Sequence, residues 1–406
     1  MTGARLFRLI LLAVLCALPP LSIDMGLPSL PALGRALGVS AGYAALTVTL
    51  FMAGFALSPI VYGTLSDRWG RRPLLIGGLL LFALGGAACL FTPSLNWLLV
   101  SRFVQGLGAG CGPTLAFAAT RDQLSGRALG QRLALLTMLL NSAPIVAPSL
   151  GTLWLYVSGW RGSYIVLAIS GVLLFIVACA KFDETKPSST TPAGGIFEAF
   201  LRDIRIVRRR PDIFLPGLIY GLSAGAMFAY VSISSLLFMK GLGASPALYA
   251  GLFAMTGAAT CSGAYASGRA LRRVPPLRLM LAGQSLMVLA PGLAMILMGF
   301  HVHTIPPIIG CMIVAMFGYG LIAPASAHAT LDPMPEIAGT ASAMMNSGQM
   351  ACMAVSSFCG SLLFRTLGNV TVPLVMLVFA LVSAGCFLAW RNHDFQIENR
   401  NRITAL

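Results

Sequence analysis

The chain has 406 residues, of which 57% are apolar and only 10% charged, against about 25% charged in an ordinary soluble domain. Its mean hydropathy is +0.85, and a soluble fold of this size has nowhere to bury so much apolar surface, which excludes an ordinary soluble enzyme. Lys and Arg number 27 against 12 Asp and Glu, a net charge of +15; in a soluble chain that excess would point to nucleic acid, but here the cations sit between apolar runs, where they set membrane topology.

At roughly 34 residues for a crossing and its connection, the length accommodates about 12 transmembrane helices. Arg5 and Arg8 ahead of an apolar run imitate a secretory signal, but further spans follow, so Leu6–Leu27 reads as a retained helix 1. Helix 2 is predicted over Tyr43–Leu65, helix 3 over Pro73–Leu90, helix 4 over Leu98–Thr120, helix 5 over Leu133–Val157 and helix 6 over Ser163–Ala180. A polar stretch then divides the spans into two sets of six. Its first part, with Pro187, Ser188, Ser189, Pro192, Gly194 and Gly195, is linker-like; its basic end from Arg202 reads either as an amphipathic helix on the inner leaflet or as plain linker. Helix 7 covers Ile213–Phe238, helix 8 Leu248–Ser267, helix 9 Leu277–Gly299, helix 10 Pro306–Thr330, helix 11 Ala338–Leu363 and helix 12 Val370–Trp390. The expected organisation is an all-α membrane protein: a six-helix bundle over 1–180, a cytoplasmic linker over 181–211, a second six-helix bundle over 212–392 and a cytoplasmic tail over 393–406.

With the N-terminus inside, 22 basic residues fall on inner segments and four on outer ones (Arg35, Arg161, Lys240, Arg365), while Arg102 is left within helix 4. That asymmetry places both termini in the cytoplasm. The halves read as a repeat. Asp67-Arg68-Trp69-Gly70-Arg71-Arg72 follows helix 2, and 201 residues later Gly268-Arg269-Ala270-Leu271-Arg272-Arg273 follows helix 8. Two six-span halves related by an axis along the membrane normal are a transporter plan whose substrate site lies near mid-membrane at the repeat interface.

Eleven of the 12 acidic residues fall in loops, in the tail or at helix ends; Asp24 is the exception. An intramembrane carboxylate is a functional group by default, the competing reading being that helix 1 ends before Asp24 and leaves it among the outer headgroups. Arg102 is the matching oddity, or else a snorkelling cation at the interface. At 1.5 Å per residue Asp24 lies roughly 27 Å from the inner end of helix 1 and Arg102 roughly 6 Å in from the outer face. Both fall in the outer half of the bilayer, placed to pair or to share a wet cavity. Desolvation favours the neutral acid and a guanidinium favours the carboxylate, so a carboxylate exposed to each side in turn exchanges a proton for a substrate.

On the inner side, Gly63-Thr64-Leu65-Ser66-Asp67-Arg68-Trp69-Gly70-Arg71-Arg72 is too ordered to serve topology alone. Asp122, at the inner end of helix 4, forms a cytoplasmic latch with Arg68 or Arg71. Among polar residues within spans (Gln105, Asn141, Gln284, His328, Asn346, Gln349), bonds between helices account for most; Gln105, Asn141 and Asn346, with Met25, Met138 and Met227, are the candidates for a substrate cavity. Gly106, Gly108, Gly110 and Gly112 form a packing seam. The nine cysteines form no CxxC pair, His301 and His303 lack a third ligand, and no Walker A loop is present, so neither a metal site nor an ATP-driven transporter is expected.

The 63–72 segment, together with Arg102-Phe103-Val104-Gln105-Gly106-Leu107-Gly108-Ala109 in helix 4 and Ala143-Pro144-Ile145-Val146-Ala147-Pro148-Ser149-Leu150-Gly151 in helix 5, resembles the major facilitator superfamily. Ile23-Asp24-Met25-Gly26-Leu27-Pro28 and Ala338-Gly339-Thr340-Ala341-Ser342-Ala343 bring it close to the bicyclomycin/chloramphenicol resistance (Bcr/CflA) group of twelve-span drug:proton antiporters. The resemblance implies efflux across a bacterial inner membrane by alternating access. It implies Asp24 and Arg102 as the proton-coupling pair, a latch of Gly63, Asp67, Arg68, Gly70, Arg71, Arg72 and Asp122, and a gating helix 5 built on Pro144, Pro148 and Gly151. Its implied partners are a small-molecule substrate, protons and lipid, without nucleic acid, in a monomer that needs no cofactor beyond the proton gradient. Helix 5 departs from the broader exporter motif at Ala143 and Leu150. The rival reading is a facilitator or importer of a sugar or organic acid; the scarcity of charged and polar residues in the spans weighs against it.

Overall fold

The computed structural model describes the backbone of residues 3–185, 205, 207, 210–332 and 338–404. Among these residues every regular element is a helix. By length and hydropathy, eight stretches among the described residues are fit to cross a membrane, and two of them, Gln131–Lys181 and Met344–Asn392, each run over two long helices. Most of the linker predicted over 181–211 lies outside the described residues.

The chain forms two compact units, Met1–Ala193 with Phe238–Ala254, and Gly194–Leu237 with Met255–Leu406. In the first, α1 (Gly3–Asp24) contains Pro19 and Pro20. Their missing N–H groups free the carbonyls of Leu15 and Cys16. The α-helix ends at Asp24, but the apolar stretch continues through a tight turn at Leu27–Ser29 into α2 (Leu30–Ala36). Ser40 accepts a bond from Tyr43 N (3.4 Å) and starts α3 (Ala41–Trp69). Gly70, at φ 97°, closes it in a conformation that favours glycine and turns the chain into α4 (Arg71–Leu90).

Predicted helix 4 is not continuous. It divides at Gly110 into α5 (Leu95–Ala109) and α6 (Cys111–Gln123). Pro113 has no N–H for the Ala109 carbonyl, so the helix ladder stops where the glycine lets the backbone rearrange. The glycine seam packs against three helices. A side chain at Gly106 or Gly110 would collide with Phe51 or Ser58 of α3, one at Gly108 with Phe82 of α4, and one at Gly112 with Leu15 of α1. The unit is completed by α7 (Gly126–Ser158), which has Pro144 and Pro148 in its interior, and by α8 (Gly162–Lys181).

In the second unit, α9 (Pro211–Ser235) starts on a proline, which needs no intrahelical donor there. It runs into a π-helical turn at Leu236–Gly241. Then follow α10 (Pro246–Ala270), which belongs to this unit from Met255 onward, α11 (Pro276–Gly299), α12 (Ile305–Leu331), α13 (Ala338–Leu367) and α14 (Thr371–Thr404). The last helix runs well beyond predicted helix 12, since no Pro or Gly between Arg391 and Thr404 stops it. The two units use one crossing device. Gly54 and Gly106 seat α3 on α5 through the Phe103 and Phe51 carbonyls, and Gly263 and Gly320 seat α10 on α12 through the Phe317 and Thr260 carbonyls.

Candidate transport site

Asp24 is the last residue of α1 and only 3% exposed, and its Oδ1 has no hydrogen-bond partner. The helix therefore ends at Asp24 without releasing it to the surface. Arg102, on α5, is 2% exposed; at that burial it is no snorkelling cation. Its guanidinium donates to the Gln105 side chain (2.6 Å), to the Ser22 carbonyl (3.0 Å) and to the Thr47 carbonyl (3.4 Å). The rings of Phe51 and Tyr164 flank it at 4.4 and 5.6 Å, distances at which cation–π attraction adds to the hold. No ion pair joins Arg102 to Asp24; the arginine instead grips the chain two residues earlier, at Ser22.

Gln105 has no exposed surface; Arg102 donates to its Oε1, and its Nε2 lies against Gly86 without a partner. The Met25 carbonyl, next to Asp24, accepts from Ser163 Oγ of α8 (2.9 Å). Gly151 of α7 presses on the same carbonyl so closely that any Cβ would overlap it. Pro144 and Pro148 deprive the Leu140 and Pro144 carbonyls of their helical donors one and two turns before that contact. The predicted gating residues thus sit on one helix, and Gly151 touches the residue after Asp24. Of the other cavity candidates, Met25 is buried, Met138 is 57% exposed, and Met227 and Asn346 are half-buried on α9 and α13. The Asn141 side chain lies outside the described residues.

The second cluster is at the junction of α3 and α4. Arg71 donates to Asp67 (2.6 Å), to Ser66 (2.6 Å) and to Asp122 of α6 (3.0 Å), with 11% of its side chain exposed. Of the two arginines proposed for Asp122, Arg71 takes it and Arg68 is exposed at the surface. Arg72 donates to the Cys179 carbonyl of α8 (2.8 Å). Gly70 supplies the turn, and no atom stands where a side chain at Gly63 would go.

Sequence reasoning missed the clip that completes this cluster. Asp183, Glu184 and Thr185, assigned to the linker, each bond a different element. The Glu184 carboxylate accepts the backbone N–H groups of Arg71 (2.9 Å) and Arg72 (3.2 Å), satisfying donors at the α4 N-terminus and opposing its positive dipole end. Thr185 donates to Asp122 (3.4 Å), and Asp183 pairs with Arg8 of α1. The available signal was acidic residues directly after an apolar span, beside an uncapped helix start reading Arg-Arg.

The buried carboxylate, the buried guanidinium and the charged cluster at the α3–α4 junction all stand on the helices of a polytopic membrane protein. The sequence profile of the Major Facilitator Superfamily matches residues 12–357, and the chain belongs to that superfamily. It is 31% identical over 342 residues to the multidrug resistance protein MdtL of Klebsiella pneumoniae, covering 83% of each chain. It is 33% identical over 267 residues to the uncharacterized MFS-type transporter YdgK of Bacillus subtilis, covering 65% of this chain and 66% of the relative. Its fold resembles a bacterial homologue of the human lysosomal transporter Spinster, with a TM-score of 0.74 at 17% identity over 96% of this chain and 98% of the other. A D-xylose–proton symporter matches at 0.72 and 15% identity, over 93% and 97%. The protein is a multi-pass membrane transporter.

Proposed function

We propose that this chain is a proton-coupled antiporter that exports small hydrophobic or weakly cationic compounds from the cytoplasm across a bacterial inner membrane. It uses the proton gradient and no cofactor. The observation that carries this reading is the Asp24–Arg102 arrangement. An ionised carboxylate in a dry site needs donors or a counter-ion; Asp24 Oδ1 has none, and Arg102 is committed to neutral acceptors. Asp24 therefore takes a proton without first breaking an ion pair. The guanidinium holds the same helix end two residues earlier, at the Ser22 carbonyl. A cationic substrate, or water admitted with a neutral one, favours the ionised form and displaces the proton. The similarity to proteins named for multidrug resistance supports the substrate class, and a monomer suffices for this chemistry.

Proton release from inverted vesicles on addition of drugs tests the proposal. Wild type is expected to respond to at least one of a chloramphenicol-like compound, a sulfonamide and a lipophilic cation, and Asp24→Asn to none. An equal response from both variants removes Asp24 from the coupling mechanism. Silence from both, in folded protein, overturns the antiport reading for that panel.

A further inference from the structure

The polar side chains of α13 form a stripe. Ser342, Asn346 and Gln349 are four and three residues apart, so at about 100° per residue they fall within about 60° of one another. Val355, Phe358 and Leu362, 54%, 47% and 38% exposed, occupy the opposite side of the same helix. The stripe itself is half-buried along its whole length, so it faces neither lipid nor a closed core. Asn346 donates to Ser342 (3.4 Å), and Gln349 donates to the Tyr319 hydroxyl of α12 (3.2 Å), with the Tyr220 phenol of α9 beside it.

Three helices thus bring two phenols and two carboxamides together at one depth. Counting crossings, the α9 start, the α12 end and the α13 start lie on the same membrane side. From those ends Tyr220 is about 14 Å in, Gln349 about 17 Å and Tyr319 about 18 Å, at 1.5 Å per residue. All three therefore sit near the middle of a hydrocarbon core of about 30 Å. Interhelical bonds satisfy part of each carboxamide, and its partly exposed remainder at that depth fits a water-filled path better than lipid. Among the described residues, α9, α12 and α13 carry no Asp, Glu, Lys or Arg between their end turns, so an anion would find no counter-charge here.

We propose that Tyr220, Tyr319, Asn346 and Gln349 form a substrate-recognition subsite within the second unit, selective for uncharged or monocationic aromatic compounds. This rests on the export function proposed above. The phenol rings stack on an aromatic substrate or attract a diffuse cation. The carboxamides each offer both donors and acceptors to a polar substituent. Charge exchange stays with Asp24 in the first unit, so recognition and coupling are carried by different residues.

Equilibrium binding to the full chain in nanodiscs tests this with two probes, chloramphenicol (uncharged) and tetraphenylphosphonium (cationic). Gln349→Ala is expected to weaken chloramphenicol binding at least tenfold and tetraphenylphosphonium binding less than threefold. Tyr220→Leu is expected to weaken both tenfold, and Tyr220→Phe to recover tetraphenylphosphonium alone. Phe358→Ala, from the opposite side of α13, leaves both unchanged. If Gln349→Ala does not fold, Asn346→Cys replaces it. A water-soluble methanethiosulfonate should then modify residue 346, read by peptide mass spectrometry, and either probe should protect it. Wild-type affinities in folded Gln349→Ala and Tyr220→Leu, or an unreactive cysteine at 346, overturn the subsite and leave the export reading standing. A wild-type protein that neither binds nor transports either probe overturns the export reading, and the subsite with it.

Discussion

Arg71 has more partners than any other side chain of the latch, and that sets an order of consequences. It donates to Asp67, Ser66 and Asp122 while its backbone donates to Glu184. A hydrogen bond to a charged group contributes about 1.5–3 kcal/mol, whereas a carboxylate at an exposed helix N-terminus contributes about 0.3–1 kcal/mol. Arg71→Ala should therefore lower transport in inverted vesicles by well over tenfold, Asp122→Asn by less, and Glu184→Gln by no more than a few-fold. A larger loss from Glu184→Gln than from Arg71→Ala would show that the clip, not the arginine, holds the latch. Gln105 gives a second test at this scale. Gln105→Leu removes the only side-chain acceptor that Arg102 uses, leaving guanidinium donors buried and unsatisfied, at a cost of about 2 kcal/mol. A lower denaturation midpoint together with impaired drug-driven proton release is expected; an unchanged midpoint would mean that Arg102 finds another acceptor. Such residues were legible in the sequence to the extent that their chemistry contrasts with their surroundings. Asp24 and Arg102 stand out because a charge in an apolar run is rare, and the 63–72 segment because its glycines, Asp67 and arginines fall in a fixed order. Glu184 did not stand out, because among prolines, serines and lysines an acid is ordinary and only the fold brings it onto α4. Depth arithmetic put Asp24 and Arg102 at similar levels but carried no information on direction around the helix, and so left open a pairing that the structure does not contain.

The helices show the same limit. Long apolar runs locate α3, α4, α11 and α12 closely, yet a hydropathy window averages over the Gly110–Pro113 break, where the missing proline donor decides the structure. The glycines separate close contact from mere abundance. Gly151 lies against the Met25 carbonyl, whereas no atom comes within 4 Å of a Cβ placed at Gly292. Overpacking a close contact typically costs 1–3 kcal/mol, while an open helical glycine replaced by alanine gains about 1 kcal/mol in helix propensity. Gly151→Ala is therefore expected to abolish drug-driven proton release, since its Cβ pushes on the residue after Asp24, and Gly292→Ala to preserve transport and raise the denaturation midpoint slightly. Full transport by Gly151→Ala would show that α7 can withdraw from the α1 end without consequence, and would remove it from the gating mechanism.

For the whole molecule, the count of intramembrane acids sets the energetics of exchange. Asp24 is the one acidic residue predicted within a span, so one proton per cycle is the expected stoichiometry. Exchange of one proton for one uncharged molecule moves a net charge, and each charge moved gains about 2.3 kcal/mol per 100 mV of membrane potential. Exchange of one proton for a monovalent cation moves none. The same protein should therefore export chloramphenicol on both the electrical and the pH component of the proton gradient, but tetraphenylphosphonium on the pH component alone. In proteoliposomes, collapsing the potential with valinomycin and potassium should slow the first and leave the second; collapsing the pH gradient with nigericin should slow both. Tetraphenylphosphonium transport that falls with valinomycin alone would require more than one proton per cation, and hence a second titrating group that the spans do not visibly supply. Equal indifference of both substrates to nigericin would instead remove proton coupling and return the chain to facilitated diffusion on the same fold.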